Sequence, residues 1–185
     1  MPPCSQQVSI MKSSIAAKKR KGFAKVWDLW QEKRYDKALV EVDRLVKENV
    51  GNSQLLVMRS QLIRLQDDEN DTPSLEDAKA DLIRAAELDD QSPVPLIEMG
   101  YFLYAIDDDA KAASAQFKKS ITLCKELLRE ALVGQAGALE ELGKYSEAKD
   151  CLMQAYFLTS NNGKSSIFPN ANAIVERLRD IQASE

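Results

Sequence analysis

Small and apolar residues recur every three or four positions along most of the chain, and short polar segments interrupt them. The clearest case is Leu142-Gly143-Lys144-Tyr145-Ser146-Glu147-Ala148, which Leu152 and Ala155 follow at helical spacing. Such spacing is typical of the buried face of an α-helix. Gly143 can adopt the left-handed conformation that ends a helix at little steric cost. The segment therefore predicts a turn followed by the second of two antiparallel helices.

The same pattern occurs upstream at steps of about 34 residues, so the sequence predicts a series of helix pairs. Their bounds are about 19–52, 53–92, 93–128 and 129–162. In the third pair, Asp107-Asp108-Asp109 is expected to form the turn. In the second pair, the polar segment 66–74 makes the turn longer than in the other pairs. Ser74 is predicted to cap the helix that follows, with Asp77 as the partner in an approximate capping box.

These paired helices, with small residues where helices cross and Leu-Gly-x-Tyr at a turn, resemble the tetratricopeptide repeat family over roughly residues 19–162. The resemblance implies an all-α fold, a right-handed α-solenoid of about four helix hairpins. A last helix is predicted over about 170–183 because one apolar stripe runs along it. We expect it to cap the end of the solenoid. Dimerisation through this helix is the alternative, which would make the protein a homodimer.

Charge is distributed unevenly along the chain. The formal net charge is −4, yet the first 25 residues contain six basic and no acidic side chains. We expect residues 1–17 to form a disordered basic arm, 18–162 the repeat domain, and 163–185 a linker with the capping helix. The cluster Lys18-Lys19-Arg20-Lys21 has three interpretations: the solvated start of the first helix, a nuclear localisation signal, or an arm that contacts phosphate groups. The acidic body would repel a polyanion, which argues against nucleic acid as the partner.

Several functional classes are excluded by composition. The chain has no histidine, which rules out Ser-His-Asp and Cys-His catalysis and histidine-ligated zinc. Its cysteines, Cys4, Cys124 and Cys151, are far apart, a pattern that fits a reducing cytoplasm and neither a metal site nor a disulfide framework. No apolar run approaches the roughly 18–20 residues that span a bilayer. We therefore expect a non-enzyme without cofactor, metal or membrane span, located in the cytoplasm, or in the nucleus if the basic cluster is a signal.

The resemblance also implies a binding site, because the first helices of successive repeats line a concave groove in that family. The residues it places there are Phe23, Trp27, Trp30, Gln31, Val57, Gln61, Arg64, Ile97, Tyr101, Tyr104, Val133, Gly137 and Glu140. Trp27 and Trp30 are three residues apart and hence on one helix face, and Tyr101 and Tyr104 repeat that spacing. Aromatic side chains in a groove are natural anchors for a partner. The alternative is that they pack between helices.

The predicted function is that of a non-catalytic protein-interaction module, an adaptor, scaffold or chaperone. Its expected partner is a protein or peptide with an apolar segment that lies in the aromatic-lined groove. Two alternatives stay open at this point. One is a nucleic-acid- or ribosome-associated factor that uses the basic arm, and the other is a chaperone of type III secretion translocators, whose size and acidity the chain shares.

Overall fold

The structure, a computed structural model, describes residues 22–66, 73–158 and 171–184. Within these residues the secondary structure is helical, without strands. The helices are α1 (22–31), α2 (Tyr35–Glu48), α3 (Ser53–Arg64), α4 (Leu75–Leu88), α5 (Val94–Ala105), α6 (Ala110–Glu141), α7 (Tyr145–Phe157) and α8 (Ala171–Ser184). The chain divides into an N-terminal unit that ends at Phe117 and a C-terminal unit that begins at Lys118. The predicted all-α class is confirmed.

Helices within the predicted pairs end in the same way, although their sequences differ. Lys33, Asp108 and Gly143 adopt φ values of 58°, 52° and 72°, in the left-handed region. In each case the next backbone N–H turns back to a carbonyl of the last helical turn, as in the bond from Lys144 N to Leu139 O, at 2.9 Å. This is the usual way to satisfy the last carbonyls of a helix. The turn predicted at Gly143 is confirmed, and the same geometry occurs twice without a glycine.

The start of α4 confirms the capping box that the sequence predicts. The Ser74 hydroxyl accepts a hydrogen bond from Asp77 N at 3.3 Å, and the Asp77 carboxylate accepts one from Ser74 N at 2.8 Å. These bonds satisfy two backbone donors that a helix start leaves without partners. The Ser74 hydroxyl also donates to the Asp77 carboxylate, at 3.1 Å. The bonds that this carboxylate accepts, from Ser74 N and from the hydroxyl, hold the pKa of Asp77 below its ordinary value.

The N-terminal unit has one hydrophobic core to which each of its helices contributes. Fully or almost fully buried examples, in chain order, are Val26, Val42, Leu55, Leu82, Phe102 and Ala113. Neighbouring helices pack in the order of the chain, α2 on α3, α3 on α4 and α4 on α5, and α3 also contacts α5. Ala38, Ala78 and Ala113, at equivalent positions of the second helices, are at most 1% exposed. Because their side chains are so small, the helices approach closely there.

Ion pairs add polar links between helices of the N-terminal unit. Arg59 of α3 donates to Asp43 of α2 and to Asp81 of α4, both at 2.6 Å. Burial raises the pKa of the Asp81 carboxyl above its ordinary value, against the opposing effect of Arg59. One arginine therefore joins three successive helices.

The C-terminal unit has a separate core around α7. Ala136, Ala148, Leu152 and Ala155 are completely buried there, and Ile174 of α8 is 1% exposed. Helix α8 packs against α7. The predicted last helix is therefore present, and it covers the apolar face of the helix pair that precedes it.

Helix α6 differs from the predicted pattern. It runs for 32 residues, and so it continues through positions 128–129, where the sequence pattern placed the boundary between the third and fourth repeats. The reason is local: residues 110–133 contain neither glycine nor proline and are rich in alanine, leucine and lysine. Nothing in that segment stops a helix.

Candidate partner-binding surface

Exposed aromatic rings lie at equivalent positions of two first helices in the N-terminal unit. Trp27 of α1 is 59% exposed, and on α5 Tyr101 is 55% and Tyr104 63% exposed. Trp27, Gln61 and Tyr101 occupy the same place in the predicted repeats 19–52, 53–92 and 93–128. Large apolar side chains exposed at repeated positions of an array are typical of an interaction surface. We refer to Trp27, Gln61, Tyr101 and Tyr104 as the aromatic surface.

The ring of Tyr101 is held in place by a neighbouring ring. Phe117 meets it edge-on, with ring centroids 5.1 Å apart and planes at 74°. Phe117 also packs close to Gly100, where an added Cβ would be only 2.6 Å from the Phe117 ring. The absence of a side chain at Gly100 therefore allows Phe117 to support Tyr101. An anchor that is already ordered loses little entropy on binding.

Other aromatic residues of the predicted groove belong mainly to the core. Trp30 is half-buried, packs against the core of the N-terminal unit, and meets Tyr35 edge-on at 6.2 Å between ring centroids. Phe23 is half-buried against the same core. Trp27 and Trp30 thus differ in role although three residues separate them. The Trp27 ring is accessible to solvent, whereas the Trp30 ring packs α1 against the core of the N-terminal unit.

A polar bridge occupies the middle of this face. Glu98 of α5 accepts hydrogen bonds from the Gln61 amide at 2.7 Å and from the Arg64 guanidinium at 2.5 Å, both on α3. Gln61, Arg64 and Glu98 are all half-buried. Their mutual bonds link the first helices of two successive repeats.

The remaining predicted residues of the N-terminal unit are spread between core and solvent. Val57 is 4% exposed and belongs to the core, so it offers no surface to a partner. Ile97 is half-buried, and Gln31 is exposed at the end of α1. The accessible part of the predicted groove is therefore narrower than the sequence implies and is dominated by aromatic rings.

In the C-terminal unit, the predicted groove residues pack against other residues of the same unit and do not form an open groove surface. Glu140 forms an ion pair with Arg177 of α8 at 3.0 Å. Val133 packs against the core of the unit. A Cβ at Gly137 would be 3.0 Å from the Arg177 guanidinium. Helix α8 thus covers this face of α6, and Arg177 meets Glu140 much as Glu98 meets Arg64, with the charges reversed.

Three further expectations concern the basic cluster, metal binding and a membrane span. The basic cluster of residues 18–21 lies outside the described residues. Within residues 22–66, 73–158 and 171–184, no group of three or more His, Cys, Asp or Glu side chains is placed to hold a metal ion. Over the same residues, none of the helices is both long and apolar enough to cross a membrane.

Sequence patterns missed one apolar surface. Ile121, Leu127 and Leu128, on the part of α6 in the C-terminal unit, are 52%, 45% and 52% exposed. They fall within the predicted repeat 93–128, and the sequence pattern gave no prediction of their exposure. The absence of a helix terminator from 110 to 133 is the signal in the sequence that would have revealed the exposed stripe.

Comparison with known proteins leaves the family of the chain open. No protein-family model and no curated protein matches it. Among solved structures, the crystal structure of MamA is similar over 84% of this chain and 91% of that chain, with 15% sequence identity and a TM-score of 0.43. At this degree of likeness, MamA indicates nothing about the function of this chain.

Proposed function

We propose that the protein is a non-catalytic interaction module of the tetratricopeptide kind, which binds an apolar segment of a partner protein on the aromatic surface. The observation that carries the proposal is the exposure of Trp27, Tyr101 and Tyr104, at 59%, 55% and 63%, on first helices of a repeated array. Each ring offers a large contact area, loses little rotamer entropy, and has one polar atom to orient a peptide.

The chemistry of the partner follows from the surroundings of these rings. The charges of Arg64 and Glu98 satisfy each other, so this part of the face presents little unbalanced charge. A strongly charged segment would find the charges of Arg64 and Glu98 already paired, whereas aliphatic or aromatic side chains would pack on the rings. The proposed ligand is thus an apolar segment, extended or helical.

The experiment compares wild type with Trp27→Ala/Tyr101→Ala as bait in pull-downs from the native lysate. The matched control is Val40→Ala/Val50→Ala, which removes apolar side chains that are 71% and 79% exposed elsewhere on the N-terminal unit. We expect proteins that wild type and the control capture and the aromatic variant does not. All the variants should keep the helical circular dichroism of wild type, because the changed side chains are mostly exposed.

A captured partner is then tested directly with its purified segment. Trp30→Phe leaves Trp27 as the remaining tryptophan of the chain, so a segment without tryptophan that covers Trp27 should shift its emission to shorter wavelength. The proposal is wrong if captured proteins are the same for wild type and the aromatic variant. It is also wrong if the emission of Trp27 is unchanged at saturation.

A further inference from the structure

The chain enters the N-terminal unit close to the aromatic surface. Gly22, the first residue that the structure describes, is buried at the start of α1, where an added Cβ would lie 2.7 Å from Leu45 Cδ2 of α2. Trp27 follows five residues later, which is about 7.5 Å along a helix. The 21 residues that precede Gly22 are therefore tethered near one ring of this surface.

The tethered segment is long enough to cross the whole aromatic surface. Packed helices have axes about 8–10 Å apart, so the first helices α1, α3 and α5 span about 20 Å. Residues 8–15 precede Gly22 by 7 to 14 positions. An extended chain covers about 3.3 Å per residue, so they reach as far as about 23–46 Å from Gly22. Such a tether keeps their local concentration at the surface near the millimolar range.

Residues 5–17 have the chemistry of the ligand that the aromatic surface is proposed to bind. Their four large apolar side chains are Val8, Ile10, Met11 and Ile15. Lys12 is the one charged side chain among them. Aliphatic and thioether side chains pack favourably on aromatic rings. We refer to residues 5–17 as the arm segment.

Charge attracts the start of the chain to the N-terminal unit. Residues 22–117 carry 20 acidic and 11 basic side chains, a net charge of −9, whereas residues 118–185 carry nine of each. The five basic and no acidic side chains before Gly22 are thus joined to the acidic part of the molecule. Opposite charges of this size favour an arm that stays on the unit.

Acidic side chains also lie at the edge where the chain enters. Gly22 packs against α2 one turn before its end, and the following residues 49–53 line one cleft with Asp89 at the end of α4. The exposed acids at that end of α4 are Glu87, Asp89 and Asp90. They outnumber the exposed Lys47 of α2, and the last turn of α4 has no basic residue. The basic cluster directly precedes Gly22, so its charges favour a course along this edge towards α5.

We propose that the arm segment occupies the aromatic surface of its own chain and that a partner segment displaces it. The inference rests on the proposed function, because the chemistry of the expected ligand comes from there. The arm segment then acts as a built-in competitor. Its removal raises the apparent affinity for a partner by the inverse of the fraction of molecules whose surface was free.

The test measures acrylamide quenching of Trp27 in the full-length chain with Trp30→Phe. We expect Ile10→Ser/Ile15→Ser to raise the quenching constant and to shift the emission to longer wavelength, because Trp27 loses its cover. The matched control is Gln6→Ser/Gln7→Ser, which changes two polar positions of the same segment and should be quenched like its parent. Equal quenching of the parent and Ile10→Ser/Ile15→Ser would overturn the proposal.

The second part of the test changes the surface. In the same background, Tyr101→Ala/Tyr104→Ala should raise the quenching of Trp27, since the arm segment loses its other contacts. Adding Ile10→Ser/Ile15→Ser should then have no further effect, because either change alone releases the segment. Additive effects would place the segment elsewhere. Quenching that depends on protein concentration would mean that the arm comes from a second copy, and it would overturn the proposal as well.

This inference and the proposed function fail separately. If the arm variant leaves quenching unchanged while Trp27→Ala/Tyr101→Ala still loses a captured partner, the inference is wrong and the proposed function stands. If the arm variant uncovers Trp27 but the captured proteins are the same for wild type and the aromatic variant, the surface serves the arm segment alone. The titration with a captured segment is also read in Ile10→Ser/Ile15→Ser, where Trp27 is uncovered at the start.

Discussion

Gly100 shows how a single missing side chain shapes the N-terminal unit. The ring of Phe117 occupies the space that a Cβ would need, with Cε1, Cζ and Cδ1 at 2.6, 2.8 and 2.9 Å from its position. An aromatic ring is rigid and cannot give way at one end as a lysine can. We expect Gly100→Ala to lower the free energy of unfolding by about 1–3 kcal/mol, the usual cost of overpacking. Thermal and urea unfolding would measure it.

The control for that prediction is a second helical glycine in open surroundings. An added Cβ at Gly134 meets nothing within 4 Å, so Gly134→Ala should raise stability by about 0.5–1 kcal/mol through helix propensity alone. The same chemical change is therefore expected to have opposite signs at two sites. If Gly100→Ala also stabilised the protein, the tight packing of Phe117 against Gly100 would be contradicted.

At the scale of elements, Glu41 ties the first two helices together. Glu41 lies on α2 and is 7% exposed. Its carboxylate accepts hydrogen bonds from Arg44 and from Lys25 of α1, the latter at 3.0 Å. The hydrogen bond from Arg44 is the main reason why the pKa of Glu41 lies below its ordinary 4.5, with Lys25 adding to it and burial opposing it. The ionised form is thus favoured by folding.

This tie predicts a pH-dependent loss of stability in Glu41→Gln. Because the folded pKa is lowered, the stabilisation from Glu41 is present above the unfolded value of 4.5 and is lost as the pH falls below it. At pH 7 we expect a loss of about 1.5–3 kcal/mol, as for hydrogen bonds to charged groups, and a difference from wild type that shrinks in acid. Urea unfolding at several pH values measures both.

The comparison variant for Glu41 is Glu32→Gln. Glu32 pairs with Arg34 at 2.7 Å, but their side chains are 55% and 46% exposed, so the change should cost less than about 1 kcal/mol. If Glu41→Gln and Glu32→Gln lowered the free energy of unfolding equally, the Glu41 carboxylate would stabilise the protein no more than an ordinary surface ion pair does.

At the scale of the whole molecule, the two units have separate cores. Leu82 and Leu152 are both 0% exposed, each within one of them. We expect Leu82→Ala and Leu152→Ala each to cost about 2–5 kcal/mol, since each leaves a cavity. Amide hydrogen exchange should accelerate in residues 22–66 and 73–117 for the first variant and in 118–158 and 171–184 for the second. Acceleration throughout both units in either variant would show that the cores unfold together.

Local patterns in the sequence predict much of the fold. The turn at Gly143, the capping box at Ser74 and the buried alanines of the second helices depend on neighbours a few residues away, or on side-chain size at helix crossings. These signals are short-range and physically specific. They therefore determine the helices and most of their ends from the sequence by itself, as well as the all-α class.

Tertiary structure alone decided which side chains are accessible. Trp27 and Trp30 share one helix face in the sequence pattern, yet Tyr35 and the core bury part of Trp30 and leave Trp27 exposed. Val57 has the spacing of a groove residue and is buried, whereas Ile121 and Leu128, whose seven-residue separation puts them on one helix face, are exposed. The physical reason is that the exposure of a side chain depends on which helices, far away in the sequence, pack against its helix face. A period of three to four residues records that a face is apolar, and only packing determines whether another helix of the same chain covers it.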